Sequence, residues 1–238
     1  MKKLVLTTVC ALAMTGAAVA QGLVNWGSIS FSAMTAQTNS TQNSPFFGGA
    51  AVSGGAVGAT AIGGPGFYYE LLDNSYTVGG PAATIPTLAS LLTWSDTGLG
   101  ATNNASGTAG RLNPIAPNAS ATVPWAAGVT DSIVLIGWSA NLGSSWGVVS
   151  NELKSGSYQT VLAGQQGFFG VSATGYITGN TAPSPGATMF GTAASANGLP
   201  ISSLNTQLYL LPVPEPATMA LMGLGGLSLL LFRRQRKN

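Results

Sequence analysis

Apolar residues occur in short runs, alternating or continuous, that are bounded mostly by glycine, proline, serine or asparagine clusters. Residues 26–33, 50–62, 67–72, 132–140, 167–173 and 207–211 are such runs, and their length and spacing predict strands. Ser132-Ile133-Val134-Leu135-Ile136-Gly137-Trp138 is the most hydrophobic of them and is expected as a central strand. One segment breaks the pattern. Over 145–154, Trp146, Val149 and Leu153 recur at helical spacing, with Ser145 placed to cap the start and Gly156 just past the end. A second short helix is predicted over 86–92. Loops at 101–110, 113–121 and 179–198 read as polar and irregular. Many strands with one or two short helices predict an all-β antiparallel β-sandwich, jelly-roll-like or Greek key. No repeated unit emerges, so a solenoid is not expected.

The two ends follow different rules. Lys2 and Lys3 precede an apolar stretch over 4–13, and Ala18-Val19-Ala20 supplies a small-x-small site before Gln21. This is the pattern of a secretory signal peptide over 1–20, a helix removed between Ala20 and Gln21 by signal peptidase after engaging the secretion machinery. At the other end Val213-Pro214-Glu215-Pro216 leads into an apolar run over 217–232 and then Arg233-Arg234-Gln235-Arg236-Lys237. Glu215 is the only charged side chain between Lys154 and Arg233. Proline fixes φ and pushes its predecessor toward extended geometry, so 213–216 presents one carboxylate on a stiff strip. Residues 217–232 are expected as a transmembrane helix. At roughly 1.5 Å per residue it reaches about 24 Å, short of a hydrocarbon core of roughly 30 Å. Gly223, Gly225 and Gly226 soften it further. The basic stop over 233–237, with Arg233, Arg234, Arg236 and Lys237, stays cytoplasmic and leaves 21–212 outside.

In this order the C-terminal features resemble the PEP-CTERM sorting signal of bacterial surface proteins. The match rests on Val213, Pro214, Glu215 and Pro216, on Thr218 shortly after, on the Gly/Leu-rich span and on the terminal arginines. The resemblance implies that the chain is the substrate of an exosortase, an integral-membrane cysteine protease that cleaves near the Pro-Glu-Pro strip. It also implies anchoring in the inner membrane through the C-terminal helix before processing, then a cell-surface or extracellular location. The sorted proteins of this family are associated with exopolysaccharide and biofilm. The alternative for the tail is a plain C-terminal anchor on a proline-rich stalk.

Charge narrows the chemistry of the exported part. The chain as a whole is +2, but residues 21–212 hold Arg111 and Lys154 against Glu70, Asp73, Asp96, Asp131 and Glu152, a net −3. Nucleic acid needs clustered Lys and Arg, so it is excluded as a partner. There is no histidine, and the single cysteine, Cys10, lies in the signal peptide. Metal or haem sites built on imidazole or thiolate, serine–histidine and cysteine–histidine catalysis, and disulfides are excluded with them. No cofactor is expected. For calcium there is no dense Asp/Asn/Gly loop.

Carboxylates remain. Glu70 and Asp73, three apart in a predicted strand, point to opposite faces, while Asp96 and Asp131 read as turn residues that bond local amides. The expectation is a protein without catalytic activity. A carboxylate-dependent glycoside hydrolase stays as an alternative that would need two of the five acids brought together. A carbohydrate-binding module is the other alternative, through the tryptophans, whose faces stack on sugars. Among Trp26, Trp94, Trp125, Trp138 and Trp146, Trp138 and Trp146 are expected in the core. Trp94 and Trp125, each beside a turn or proline, are the candidates for exposure and sugar stacking.

Overall fold

The computed structural model describes residues 21–47, 57–59, 66–80, 83–103, 109–116, 118–202, 205–213 and 224–225. The signal helix expected over 1–20 lies outside these residues, as does the membrane span over 217–232 apart from Leu224 and Gly225. Among the described residues no helix is long and apolar enough to cross a membrane. What is described is mostly β-sheet with few short helices.

The fold grows outward from β8 (Thr130–Ser139), the run read as a central strand. Strands β4 (Phe67–Ser75), β9 (Phe168–Val171) and β10 (Gly175–Thr178) flank it, all antiparallel to it. On one side the sheet continues from β4 to β5 (Ser95–Asn103) and β6 (Leu112–Pro114). On the other it continues from β9 to β13 (Asn205–Leu210), β2 (Thr35–Asn43) and β3 (Val57–Ala59), and β12 (Gly198–Leu199) pairs with β10. A separate three-stranded sheet places β1 (Gln21–Trp26) between β7 (Asn118–Ala126) and β11 (Ala187–Thr188).

A strand covered on both faces needs apolar residues at every position, which is what 133–136 supplies. Ile133 and Leu135 join Tyr69, Leu71 and Leu208 against Val24, Trp26, Val123 and Trp125 of the small sheet. Val134, Ile136 and Trp138 point the other way and pack with Leu72 under two helices, α3 (Trp146–Ser155) and α4 (Tyr158–Leu162). Three layers result: small sheet, large sheet, helices. Each Leu, Ile or Val so buried contributes about 1.5–3 kcal/mol.

Several expectations change. The run over 26–33 is not one strand: β1 ends at Trp26 and a helical turn, α1 (Ser28–Phe31), follows. That turn brings Phe31 edge-on to Trp26, centroids 4.8 Å apart, so both rings are buried where a straight strand would have separated them. Of the run over 50–62, Val57–Ala59 is strand as expected and the rest lies outside the described residues. The sheets are mixed, because β13 pairs with β2 in parallel and β1 with β11 likewise. The helix over 86–92 shortens to α2 (Leu88–Leu91), with Thr87 capping the Ser90 N–H. β2, β5 and β7 are polar strands that hydropathy did not reveal.

Candidate functional site

Asn74 of β4, Ser132 of β8 and Tyr176 of β10 stand opposite one another in a single row across three strands. Even-numbered β8 residues face the helical layer, so this row lies on that face of the sheet, at the end away from α3 (Trp146–Ser155). There it forms part of the wall of a cavity of about 420 Å³. The opposite wall is the segment 84–94 that contains α2, contributing Thr84, Ile85, Pro86, Thr87, Ser90 and Trp94. A tight turn closes one rim: the Gly80 N–H bonds the Thr77 carbonyl at 2.8 Å, and Gly79 takes the positive φ of 78° that such a turn requires. Two backbone bonds and one side-chain bond clip the wall to the sheet, from Ala83 N–H to the Thr174 carbonyl and from the Thr174 N–H and hydroxyl to the Thr84 carbonyl.

Trp94 and Trp125, paired as candidates from the sequence, separate here. Trp94 lines this cavity and is half-buried, resting on the helix-side core, and its Nε1 finds no partner among the described residues. Trp125 is not available for stacking. It is 6% exposed, because β7 turns Ala121, Val123 and Trp125 inward on alternate positions. Trp138 and Trp146 are core as expected. Sequence reasoning missed Tyr76 and Tyr176, whose rings stack 4.6 Å apart at 29° and both line the cavity. One hundred positions separate them, and no local signal links the two.

The acids are placed by register. In the β4–β5 ladder Asp96 stands opposite Leu72, on the Glu70 side of β4. Burial and then the Asp96 charge push the Glu70 carboxyl up to about 7, against the pull of the Trp146 N–H it accepts at 3.1 Å. Asp73 faces the other way, as its odd spacing from Glu70 predicts. Burial first and Asp131 second raise it to about 6, with a smaller push from Asp96. Burial also raises Asp131, opposed by the Tyr76 N–H, and Glu152. Asp96 and Asp131 are strand residues and not turn residues, although Asp96 does accept the Gly98 N–H at 2.7 Å.

None of the five acids lines the large cavity or the apolar one of about 410 Å³ beside it, around Phe46, Leu88 and Tyr209. Glu70 alone reaches a small cavity of about 130 Å³ next to Trp26 and Ile115. Among the described residues no cluster of three His, Cys, Asp or Glu is placed to hold a metal.

The tail begins flush with the folded body. Leu211 is buried and its N–H bonds the Gly167 carbonyl, and Val213 packs on the helix-side core. Pro214, Glu215, Pro216, Thr218, Arg233, Arg234, Arg236 and Lys237 lie outside the described residues, as do Ala18 and Ala20, while Gln21 opens β1.

Residues 212–237 match the family model of the PEP-CTERM protein-sorting motif. No curated protein and no solved structure matches the chain. The motif implies an exported protein that an exosortase sorts, with the C-terminal region anchoring it in the membrane before processing.

Proposed function

We propose that a chain carrying this sorting motif is a non-catalytic surface or matrix protein. On this reading an exosortase cleaves it near Pro214, Glu215 and Pro216, and it then resides at the cell surface or outside the cell in association with exopolysaccharide and biofilm. The observation that carries the reading is the sorting motif over 212–237. Two features support the absence of catalysis. Among the described residues, no Asp, Glu, Lys or Arg lines either large cavity. Glu70 and Asp73, the carboxyls raised to about 7 and about 6, face opposite sides of β4, whereas a glycosidase works with two carboxyls roughly 5–9.5 Å apart across one substrate. The two apposed sheets support a β-sandwich with an added helical layer as the fold of 21–212.

The test is the intact mass of the protein from producing cells with and without their exosortase. Loss of residues 1–20 together with a C-terminal piece starting near Pro214, only where the enzyme is present, is the expected result. A tail retained in both strains would reduce the motif to a plain anchor and sink the exosortase role.

A further inference from the structure

We propose that the cavity walled by Asn74, Tyr76, Ser132 and Tyr176 on the sheet and by Thr87, Ser90 and Trp94 opposite is a binding cleft for an uncharged chain of hexoses. The inference rests on the exopolysaccharide reading above and names the site and the ligand class.

Three observations converge. The cavity, about 420 Å³, falls in the range of roughly 300–1,000 Å³ of small-molecule sites. Its size suits a short stretch of sugar. Among the described residues its lining holds no Asp, Glu, Lys or Arg. A uronate, a phosphate or an ammonium would lose its hydration there without gaining a counter-charge, which is costly. A neutral polyol trades water for hydroxyls and amides at little loss. The aromatic content is the third observation. Tyr76 stacks on Tyr176, and Trp94 stands on the facing wall. Aromatic faces carry negative charge density, and the axial C–H bonds of a pyranose ring present a weakly positive, apolar face to match.

The polar groups are placed for hydroxyl recognition. Asn74 spends its side-chain carbonyl on the Ser75 N–H at 2.9 Å, which leaves its NH₂ to donate. Thr87 accepts the Ser90 N–H and keeps its own O–H for donation. The bonds between Thr174 and the 83–84 backbone hold the two walls at a fixed separation, so the cleft forms without a ligand and little ordering entropy is lost on binding. The neighbouring apolar cavity around Phe46 has no comparable set of donors and is not part of the site.

The test titrates the exported protein, as producing cells release or retain it, with cellohexaose, laminarihexaose, maltohexaose and hexagalacturonate, followed by calorimetry and tryptophan fluorescence. At least one of the three neutral hexasaccharides binds, and hexagalacturonate does not. Trp94→Ala and Tyr176→Ala each weaken binding about tenfold or more, the equivalent of about 1.4 kcal/mol, while Trp94→Phe retains most of it. Tyr76→Ala gives the same readout should Trp94→Ala fail to fold. Absence of binding by all three neutral sugars overturns the inference. Equal binding of the uronate, or wild-type affinity in folded Trp94→Ala and Tyr76→Ala proteins, overturns it too. Correct tail cleavage with no sugar binding removes this site alone. Sugar binding by protein whose tail is never cleaved removes the sorting reading and leaves the site standing.

Discussion

The Glu70 carboxylate accepts the backbone N–H of Trp146 at 3.1 Å, across 76 positions of sequence. Trp146 is the first residue of a ten-residue helix, and its N–H is one of those a helix leaves unpaired. Ser145 stands at the N-cap with extended backbone but makes no capping bond. A strand on the central sheet therefore does what the local serine was expected to do. The carboxylate gains from the positive end of the helix dipole, yet burial and Asp96 outweigh that gain and hold it up near 7.

This sets the pH dependence of stability. Glu70 and Asp73 bind protons more tightly in the folded protein, at about 7 and about 6, than at their ordinary values of 4.5 and 3.8. In that window the folded state carries protons that the unfolded chain has released, so stability falls as pH rises. The melting temperature is expected to be highest near the ordinary carboxylate values, to drop through about pH 6–7, and to level off above. Glu70→Gln and Asp73→Asn each flatten the slope. A wild-type melting temperature that climbs from about pH 5 to about pH 8 contradicts the assignment.

Trp125→Ala removes a ring buried between the sheets and costs about 3–5 kcal/mol. Trp94→Ala, at a half-buried position on a cavity wall, costs clearly less. Chemical denaturation of the two variants separates them, and equal losses would mean that Trp94 is a core residue.

Gly137 faces the Tyr69 ring across the β4–β8 ladder. A Cβ there would fall 2.6 Å from Tyr69 Cδ1 and 2.9 Å from Leu208 Cδ2. Gly137→Ala is expected to cost about 1–3 kcal/mol through overpacking, and thermal unfolding reads it as a drop of roughly 2–4 °C per kcal/mol. An unchanged midpoint would show that Tyr69 yields freely.

Replacing Pro214, Glu215 and Pro216 together by alanine removes both the stiff strip and its lone charge. The expected product retains its tail, visible in the intact mass and in sedimentation with membranes, while a product of wild-type mass would place recognition elsewhere.

Sequence periodicity carried the strongly apolar elements. β8, β9, β13 and α3 appear where 132–140, 167–173, 207–211 and 145–154 predicted them. Burial on two faces, or on one helical stripe, leaves an unmistakable spacing of apolar residues. β2 (Thr-Ala-Gln-Thr-Asn-Ser-Thr-Gln-Asn) and β5 (Ser-Asp-Thr-Gly-Leu-Gly-Ala-Thr-Asn) had no such spacing. Their partners impose the strand conformation on them, as where Asn39 Nδ2 donates to Gln207 Oε1 across the parallel β2–β13 pair.

The sequence by itself determined the C-terminal sorting motif, because a linear strip, an apolar run and a basic stop are read in the order they are written. It also determined the classes of chemistry ruled out by a chain with no histidine and a single cysteine. Tertiary structure alone decided which of the two candidate tryptophans lines the large cavity, since strand alternation buries Trp125 while a turn after α2 leaves Trp94 half-open. It alone joined Tyr76 to Tyr176 and Glu70 to Trp146, because each pair exists only once strand register has been fixed by burial of the central sheet.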